Sequence, residues 1–243
     1  MDHTLTNERT NERTNERMPD FGFYNEDCMT GMSKFPDKYF DLAIVDPVYG
    51  DVSQGGYMKN LDSTTKLAKP IQYHLSLWQQ EKTGKDYFKE LLRVSRNQII
   101  WGGNYFASML YDTQCWIVWD KQRTGGFADF EIAWTSFNQA SRMFRFMWNG
   151  MLQQDMKNKE QRIHPTQKPV ALYKWLIDKF ANPDDTILDT HVGSASSLIA
   201  CHQTGHKYIG FEIDTEYYRQ AKERLENETA QTNMFEMFDM GEK

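Results

Sequence analysis

An acidic residue, a proline and a tyrosine lie close together in the run Asp46-Pro47-Val48-Tyr49-Gly50. The preceding residues, 41–45, are mostly apolar and partly β-branched, which favours a buried strand that ends at this turn. Ligands bind at that edge of open α/β sheets. A carboxylate, a backbone carbonyl and an aromatic ring could grip a flat heterocycle that carries an amino group. An ordinary strand-to-loop turn is the alternative, because Asp-Pro pairs are common in turns.

A second candidate site lies in the carboxyl-terminal half, where a loop of small residues follows another predicted strand. Thr186 to Asp189 form the strand, and the loop 190–197 opens a helix that leads to a further strand ending at Glu212. Small residues let a ligand approach the backbone closely, and an acidic residue placed like Glu212 can bind ribose hydroxyls. The phosphate-binding pattern Gly-x-Gly-x-x-Gly is absent from this loop, so the sequence favours a nucleoside without phosphates.

Two further segments carry polar residues at predicted element boundaries. The run His164-Pro165-Thr166-Gln167-Lys168-Pro169 comes directly before an apolar-periodic helix predicted over 170–180. Asp27 follows a short strand predicted over 21–24, so its carboxylate could line the same crevice as Asp46. Asp27 could equally cap the next helix, since aspartate is a preferred N-cap residue.

The middle of the chain is basic relative to its flanks. Residues 51–162 contain 15 Lys and Arg against 11 Asp and Glu, whereas the rest of the chain contains 13 against 23. This distribution favours a surface that faces phosphates. Basic residues interleaved with aromatic ones can also stack bases, although for any single residue a core aromatic beside a solvated charge is the better interpretation. The interleaved residues are Arg142, Phe144, Arg145, Phe146, Trp148, Lys157, Lys159 and Arg162.

The length of 243 residues predicts one domain, which we place at 21–230. Residues 1–20 hold three copies of Thr-Asn-Glu-Arg and are predicted to be a disordered tail, and 231–243 form a carboxyl-terminal tail. The polar stretch 51–70 is predicted to be a mobile loop. No apolar run approaches a membrane span, three distant cysteines predict free thiols in a reducing cytoplasm, and no spacing predicts a metal site.

The motifs, taken in order, resemble those of the β-class DNA amino-methyltransferases, which depend on S-adenosylmethionine. The resemblance covers about residues 21–228, and its acceptor motif precedes the cofactor loop, which is the permuted order of that class. The run Trp101-Gly102-Gly103-Asn104-Tyr105-Phe106 is similar to short adenine methylases of bacterial mobile elements and phages. The resemblance implies a Rossmann-like α/β fold with a mostly parallel sheet, target-recognition insertions within about 51–162, and the cytoplasm of a bacterial or phage-infected cell.

The resemblance also implies roles for single residues. Asp46 and the Pro47 carbonyl would accept hydrogen bonds from the target amino group of a base flipped out of duplex DNA, and Tyr49 would stack on that base. No metal is implied. The residues implied to lie at the cofactor are Asp27, Asp46, Thr166, Lys168, Asp189, Gly193, Ser194, Ser196 and Glu212.

Adenine N6 is favoured as the acceptor, because the cytosine-N4 members of the class more often carry serine at the position of Asp46. Val48 replaces the usual second proline, and Ala195 replaces a glycine. A methyl group at position 195 could crowd the cofactor, or a positive φ there would cost about 1 kcal/mol. These departures leave a catalytically impaired DNA-binding relative as an alternative. For His191, packing or capping is favoured over catalysis as a base. An RNA or protein methyltransferase, a restriction-modification partner as against a solitary methylase, and a homodimer that shares recognition all stay open.

Overall fold

The computed structural model describes residues 18–50, 82–122, 128–149 and 152–240. Most of the predicted amino-terminal tail and the whole predicted loop over 51–70 lie outside these residues, as does much of the basic stretch 121–126. Among the described residues, no helix is long and apolar enough to cross a membrane. The same residues contain no cluster of three or more His, Cys, Asp or Glu side chains that could hold a metal ion.

Strands and helices alternate along much of the described chain. The elements, in order, are β1 (Gly22–Tyr24), α1 (Cys28–Ser33), β2 (Phe40–Val45), α2 (Lys85–Val94), β3 (Ser95–Trp101), a 3₁₀ turn (Gly103–Tyr105), β4 (Trp116–Asp120), β5 (Phe130–Thr135), β6 (Arg142–Arg145), β7 (Trp148–Asn149), β8 (Leu152–Gln153), α3 (Val170–Phe180), β9 (Thr186–Asp189), α4 (Ser196–Gln203), β10 (Lys207–Phe211) and α5 (Thr215–Met240).

Eight of these strands form one sheet in the order β1-β10-β9-β2-β3-β5-β4-β6, and β7 pairs with β8 separately. The strands from β1 to β3 in that order run parallel, whereas β5 is antiparallel to both β3 and β4. The chain leaves β2 through α2 towards β3, and it leaves β9 through α4 towards β10 on the other side. The β2–β9 boundary is therefore the point where the winding reverses, and a crevice opens at the carboxyl ends of strands at such a point.

Alternate side chains of β2 explain why the sheet carries helices on both faces. Leu42 and Ile44 are buried in one apolar cluster with Leu172 and Leu176 of α3. Ala43 and Val45 point to the opposite face, where they join a cluster that includes residues of α2. A strand buried on both faces must be apolar throughout, which is the pattern from which β2 was predicted.

The structure differs from the sequence-based expectation at the carboxyl-terminal helix. Helix α5 continues to Met240, through residues assigned to the tail and past the expected end near Glu228, because no glycine or proline interrupts it before Gly241.

The basic and aromatic segment forms β6 and the β7–β8 pair, and its rings are largely internal. Phe144 packs on Phe146 and Trp175, with ring centroids 5.6 and 5.3 Å away. Trp148 is buried and donates from Nε1 to the Gln167 carbonyl at 2.9 Å. These rings are therefore committed to packing, the interpretation already favoured for single residues.

Candidate active site

Asp46 lies just beyond the end of β2, and Asp189 is the last residue of the neighbouring strand β9. The two strands pair in parallel, with Ala43 opposite Leu188, so both carboxylates emerge at the same edge of the sheet. The negative charge of Asp46 contributes to raising the pKa of Asp189, which places the two groups within electrostatic reach of each other. The acceptor motif and the small-residue loop, far apart in sequence, thus meet at the crevice that the strand order creates.

The Asp46 carboxylate is held by two side chains. Tyr49 donates its hydroxyl to Oδ1 at 3.0 Å. Lys168 forms a close ion pair with Oδ2, and both partners are largely buried. The carboxylate is thereby fixed at the mouth of the crevice, and Pro47 is buried directly after it. The structure therefore brings Asp46, Pro47, Tyr49 and Lys168 together, with the lysine ammonium on Asp46.

The Tyr49 ring is stacked on Tyr105, with centroids 4.9 Å apart and an interplanar angle of 17°. Gly102 lies against the same ring, and a Cβ added to Gly102 would meet a Tyr49 ring atom at 2.6 Å. Gly102 also has φ +67°, a conformation that favours glycine. The run Trp101 to Phe106 therefore supplies the floor on which Tyr49 rests. Tyr105 remains 43% exposed, so it borders the open part of the site.

A second carboxylate, Glu131 of β5, also contacts Lys168, with 3.2 Å between Oε2 and Nζ. Its other oxygen forms a close ion pair with Lys121. Burial alone would raise the pKa of Glu131, but the two lysines lower it to about 2. Burial alone would lower the pKa of Lys168, but Asp46 and Glu131 raise it above its ordinary value. Glu131 and Lys168 are accordingly both charged near neutral pH. Sequence reasoning missed Glu131, because nothing in the pattern of β5 marks it as a partner of Lys168.

The loop that follows β9 is organised around Asp189. Its carboxylate accepts a hydrogen bond from the Ser197 hydroxyl and another from the His191 backbone N–H at 3.0 Å. Burial nevertheless raises the pKa of Asp189 to about 7. Glu212, just beyond β10, accepts from the Gly193 N–H and the Asp214 N–H, both at 2.9 Å. Burial raises the pKa of Glu212 as well. Two buried carboxylates thus flank the loop.

Two residues of this loop adopt left-handed backbone conformations. Gly193 has φ +56°, and Ala195, at the N-cap of α4, has φ +63°. The positive φ anticipated for position 195 is therefore present, and it carries a strain of about 1 kcal/mol for a residue with a Cβ. The methyl group itself is buried in an apolar cluster with Val192 and Leu198.

Arg224 of α5 supports the loop from behind. One guanidinium nitrogen donates to the Ser194 carbonyl at 2.7 Å and to the Ser196 hydroxyl at 2.9 Å. The other pairs with Glu160 at 2.7 Å, and Glu160 also accepts from the backbone N–H of Val170 at 3.0 Å. The predicted cofactor residues Ser194 and Ser196 are therefore tied to the carboxyl-terminal helix, a contact that the sequence did not reveal.

Asp27 caps α1, because its Oδ1 accepts a hydrogen bond from the Thr30 N–H at 3.0 Å. The negative charge of Asp27 also acts to raise the pKa of His191. His191 bonds through Nδ1 to Thr190 at 2.9 Å, and burial lowers its pKa to about 4, which agrees with the favoured packing role.

The segment before α3 lies over the loop. A Cβ added to Gly193 would stand 3.5 Å from the His164 ring. Thr166 is exposed and interacts with His164 Nδ1 at 3.1 Å, whereas His164 Nε2 is buried without a hydrogen-bond partner among the described residues. This arrangement accords with the predicted position of Thr166 beside the cofactor loop, and its contact with a cofactor stays a prediction.

Comparison with known proteins agrees with this geometry. A family model described as DNA methylase, of the N6/N4 class, matches residues 81–223, more than half of the chain. The chain is 26% identical to YubD of Escherichia coli (strain K12) over 212 residues, covering 84% of this chain and 89% of that protein. It is 42% identical over 67 residues to the DNA adenine methyltransferase YhdJ of the same strain, covering 28% of this chain and 23% of YhdJ.

Among solved structures, the PvuII DNA methyltransferase, named as cytosine-N4-specific, has the same fold. It superposes with a TM-score of 0.54 at 13% identity, covering 88% of this chain and 93% of that one. The predicted Rossmann-like α/β fold with a mostly parallel sheet is thus confirmed. With the family match extending from before α2 into α5, the chain belongs to the N6/N4 DNA methylase family.

Proposed function

We propose that this chain transfers a methyl group from S-adenosylmethionine to the exocyclic N6 of adenine in duplex DNA. The observation that carries the proposal is the junction of β2 and β9, where the Asp46 carboxylate and the small-residue loop meet at one sheet edge. S-adenosylmethionine is the cofactor of the family. When bound, it supplies an electrophilic methyl group on a sulfonium, so the protein contributes mainly positioning and electrostatics.

The residues beside β9 fit such a cofactor. Asp189 and Glu212 put two acidic groups beside the loop, and each Glu212 oxygen accepts only one described hydrogen bond, which leaves lone pairs for ribose hydroxyls. Arg224, the nearby cation, is committed to Glu160 and to the back of the loop. A loop flanked by carboxylates, with its nearby arginine already paired, suits a cationic nucleoside better than a phosphorylated one. Asp27 and Thr166 complete the proposed cofactor site.

The residues beside β2 suit an amino group. The lone pair of an exocyclic amine is delocalised into its ring, which makes the nitrogen a poor nucleophile. Asp46 and the Pro47 carbonyl would accept hydrogen bonds from the two N–H groups of this amine. These bonds would draw the nitrogen towards a tetrahedral arrangement and free its lone pair for in-line attack on the methyl group. Asp46 need not be a strong base, because the nitrogen becomes acidic once it is methylated. Tyr49, rigidly seated on Gly102 and Tyr105, would stack on the flipped base.

Cytosine N4 is the second candidate acceptor, because the PvuII enzyme, which has the same fold, is named as cytosine-N4-specific. Aspartate at position 46 and the local similarity to the adenine methyltransferase YhdJ favour adenine. This preference for adenine rests on similarity and not on chemistry, since adenine and cytosine both present an exocyclic amine beside a ring nitrogen.

Long-read sequencing of genomic DNA from cells that express the chain tests the proposal, beside cells that express Asp46→Ala. We expect modified adenine in one short sequence context, and none with D46A at equal protein level. Modified cytosine would retain the mechanism and overturn the choice of base. No modification from a folded wild-type chain would refute the proposal and would favour an impaired DNA-binding relative.

A further inference from the structure

Four ionisable side chains of alternating sign form a continuous chain that leads away from the acceptor motif. Asp46 pairs with Lys168, Lys168 with Glu131, and Glu131 with Lys121. Lys168 stands at the centre and is almost completely buried, and the Lys121 ammonium also lies 4.8 Å from the Trp119 ring centroid. Only the first member of the chain belongs to the proposed catalytic motif.

Each oxygen of the Asp46 carboxylate already has a partner when no substrate is bound. Oδ1 accepts from the Tyr49 hydroxyl, and Oδ2 is in close contact with the Lys168 ammonium. An ammonium on the carboxylate competes directly with the weaker, neutral donor that a target amino group provides. The ammonium also neutralises the Asp46 charge, so Asp46 accepts a hydrogen bond from the amino group more strongly when Lys168 moves away. A buried ammonium cannot simply be released, however, because its desolvation must be compensated by another acceptor.

Glu131 is that acceptor. Its Oε2 already lies 3.2 Å from the Lys168 nitrogen, so the ammonium can shift between the two carboxylates with little movement. Lys121 engages the other oxygen of Glu131 and so limits how strongly Glu131 attracts Lys168. Resting on the proposed methyl transfer, we propose that Glu131 is a positioning residue that receives the Lys168 ammonium and frees Asp46 to bind the target amino group.

This role predicts opposite effects for the two neighbours of Lys168 in the chain. Glu131→Gln removes the receiving charge, so Lys168 stays on Asp46. We expect kcat to fall about tenfold, with KM for S-adenosylmethionine and for DNA within about twofold of wild type. Lys121→Met removes the competitor of Lys168 for Glu131, so Asp46 is released more easily and kcat should equal or exceed that of wild type. The double variant K121M/E131Q should behave like E131Q alone.

The assay is transfer of tritiated methyl groups to unmethylated genomic DNA from a methylation-deficient host, measured by single turnover and at steady state. Glu216→Gln is the matched control, since Glu216 pairs with Arg219 on the surface of α5, and its kcat should be unchanged. Thermal unfolding of every variant establishes that the folded fractions are equal at the assay temperature.

Three results would overturn the inference while leaving the proposed function intact. They are an unchanged kcat in E131Q, an increase in KM alone, and parallel losses of kcat in E131Q and K121M, which would indicate a merely structural network. If E131Q does not fold, a reduced kcat in K121M would still contradict the proposal. A folded wild-type chain that binds DNA and S-adenosylmethionine without transferring methyl groups would refute the proposed function and the inference with it.

Discussion

Substituting Lys168 by methionine removes the ammonium that joins Asp46 and Glu131 while it keeps the length of the side chain. In the native chain this ammonium lies between side chains that are 13% and 31% exposed, and Lys168 itself is 2% exposed. The variant leaves two carboxylates close together at the edge of the core. Removing one partner of a buried ion pair is much more destabilising than replacing the whole pair, because the remaining charge loses its compensation.

The size of the effect follows from the charge network. The pKa of Glu131 is lowered from 4.5 to about 2 by Lys168 and Lys121 together, equivalent to about 3 kcal/mol at ~1.4 kcal/mol per unit. We reduce this to about 2 kcal/mol because part of the Glu131 side chain meets solvent. Truncation of a buried pair typically costs about 3–5 kcal/mol. We therefore expect Lys168→Met to lower the free energy of unfolding by about 3 kcal/mol near neutral pH.

The loss should also depend on pH. Because the folded pKa of Glu131 lies below its ordinary value, its contribution to stability is present above about pH 4.5 and is lost as the pH falls towards about 2. In K168M only the part of that contribution due to Lys121 remains, and protonation relieves the repulsion between the two carboxylates left behind. The difference from wild type should therefore narrow as the pH is lowered from neutral into the acid range.

Urea unfolding of wild type and K168M over this pH range measures both quantities. Lys89→Met is the control, since Lys89 and Asp86 form an exposed pair on α2 whose loss should cost less than about 0.5 kcal/mol. A loss in K168M no greater than that in K89M would refute the view that Lys168 compensates the charges of Asp46 and Glu131. A deficit that stays constant with pH would refute it equally.

Three other perturbations probe the cofactor loop. Arg224→Met should weaken S-adenosylmethionine binding about tenfold by calorimetry with a smaller effect on kcat, because Arg224 holds Ser194 and Ser196 in place; an unchanged affinity would contradict this. Since burial raises the pKa of Asp189 to about 7, native stability should decline as the pH rises from about 4 to 7, and Asp189→Asn should flatten that part of the urea-unfolding profile. Ala195→Gly relieves about 1 kcal/mol of strain but loses a buried methyl worth ~0.8 kcal/mol, so stability and cofactor affinity should change little; a large gain in affinity would mean that the methyl group crowds the cofactor.

The sequence predicted well those elements whose buried face has a clear period and whose ends carry proline or glycine. Helix α3 has the predicted bounds, and β2 and β9 lie where the apolar runs placed them. The meeting of Asp46 with the small-residue loop was also foreseeable, because both follow parallel strands. The two possibilities for Asp27 were not separable by sequence, since an N-cap and a ligand-facing carboxylate require the same residue at the same strand exit.

Contacts that depend on the pairing of distant strands could not be predicted. Glu131 reaches Lys168 because β5 pairs antiparallel with β3, with Ala133 opposite Trp101, and a shift of one residue would turn Glu131 to the other face. The role of Arg224 depends in the same way on how α5 packs against α4. Buried charges are rare in general, so the default assumption that a charged residue is solvated is usually right and fails at these positions.

The departure at Val48 gains a physical explanation from these contacts. A second proline would stiffen the acceptor motif through its own backbone, and valine does not. In this chain the motif is instead fixed from outside. The Val48 carbonyl accepts from the Thr83 N–H at 2.9 Å, the Asp46 carboxylate is held by Tyr49 and Lys168, and the Tyr49 ring is seated on Tyr105. Since three independent contacts restrain the turn, the missing proline is a weak argument for an impaired enzyme, and the restraint on Asp46 shifts to side chains that the sequence did not identify.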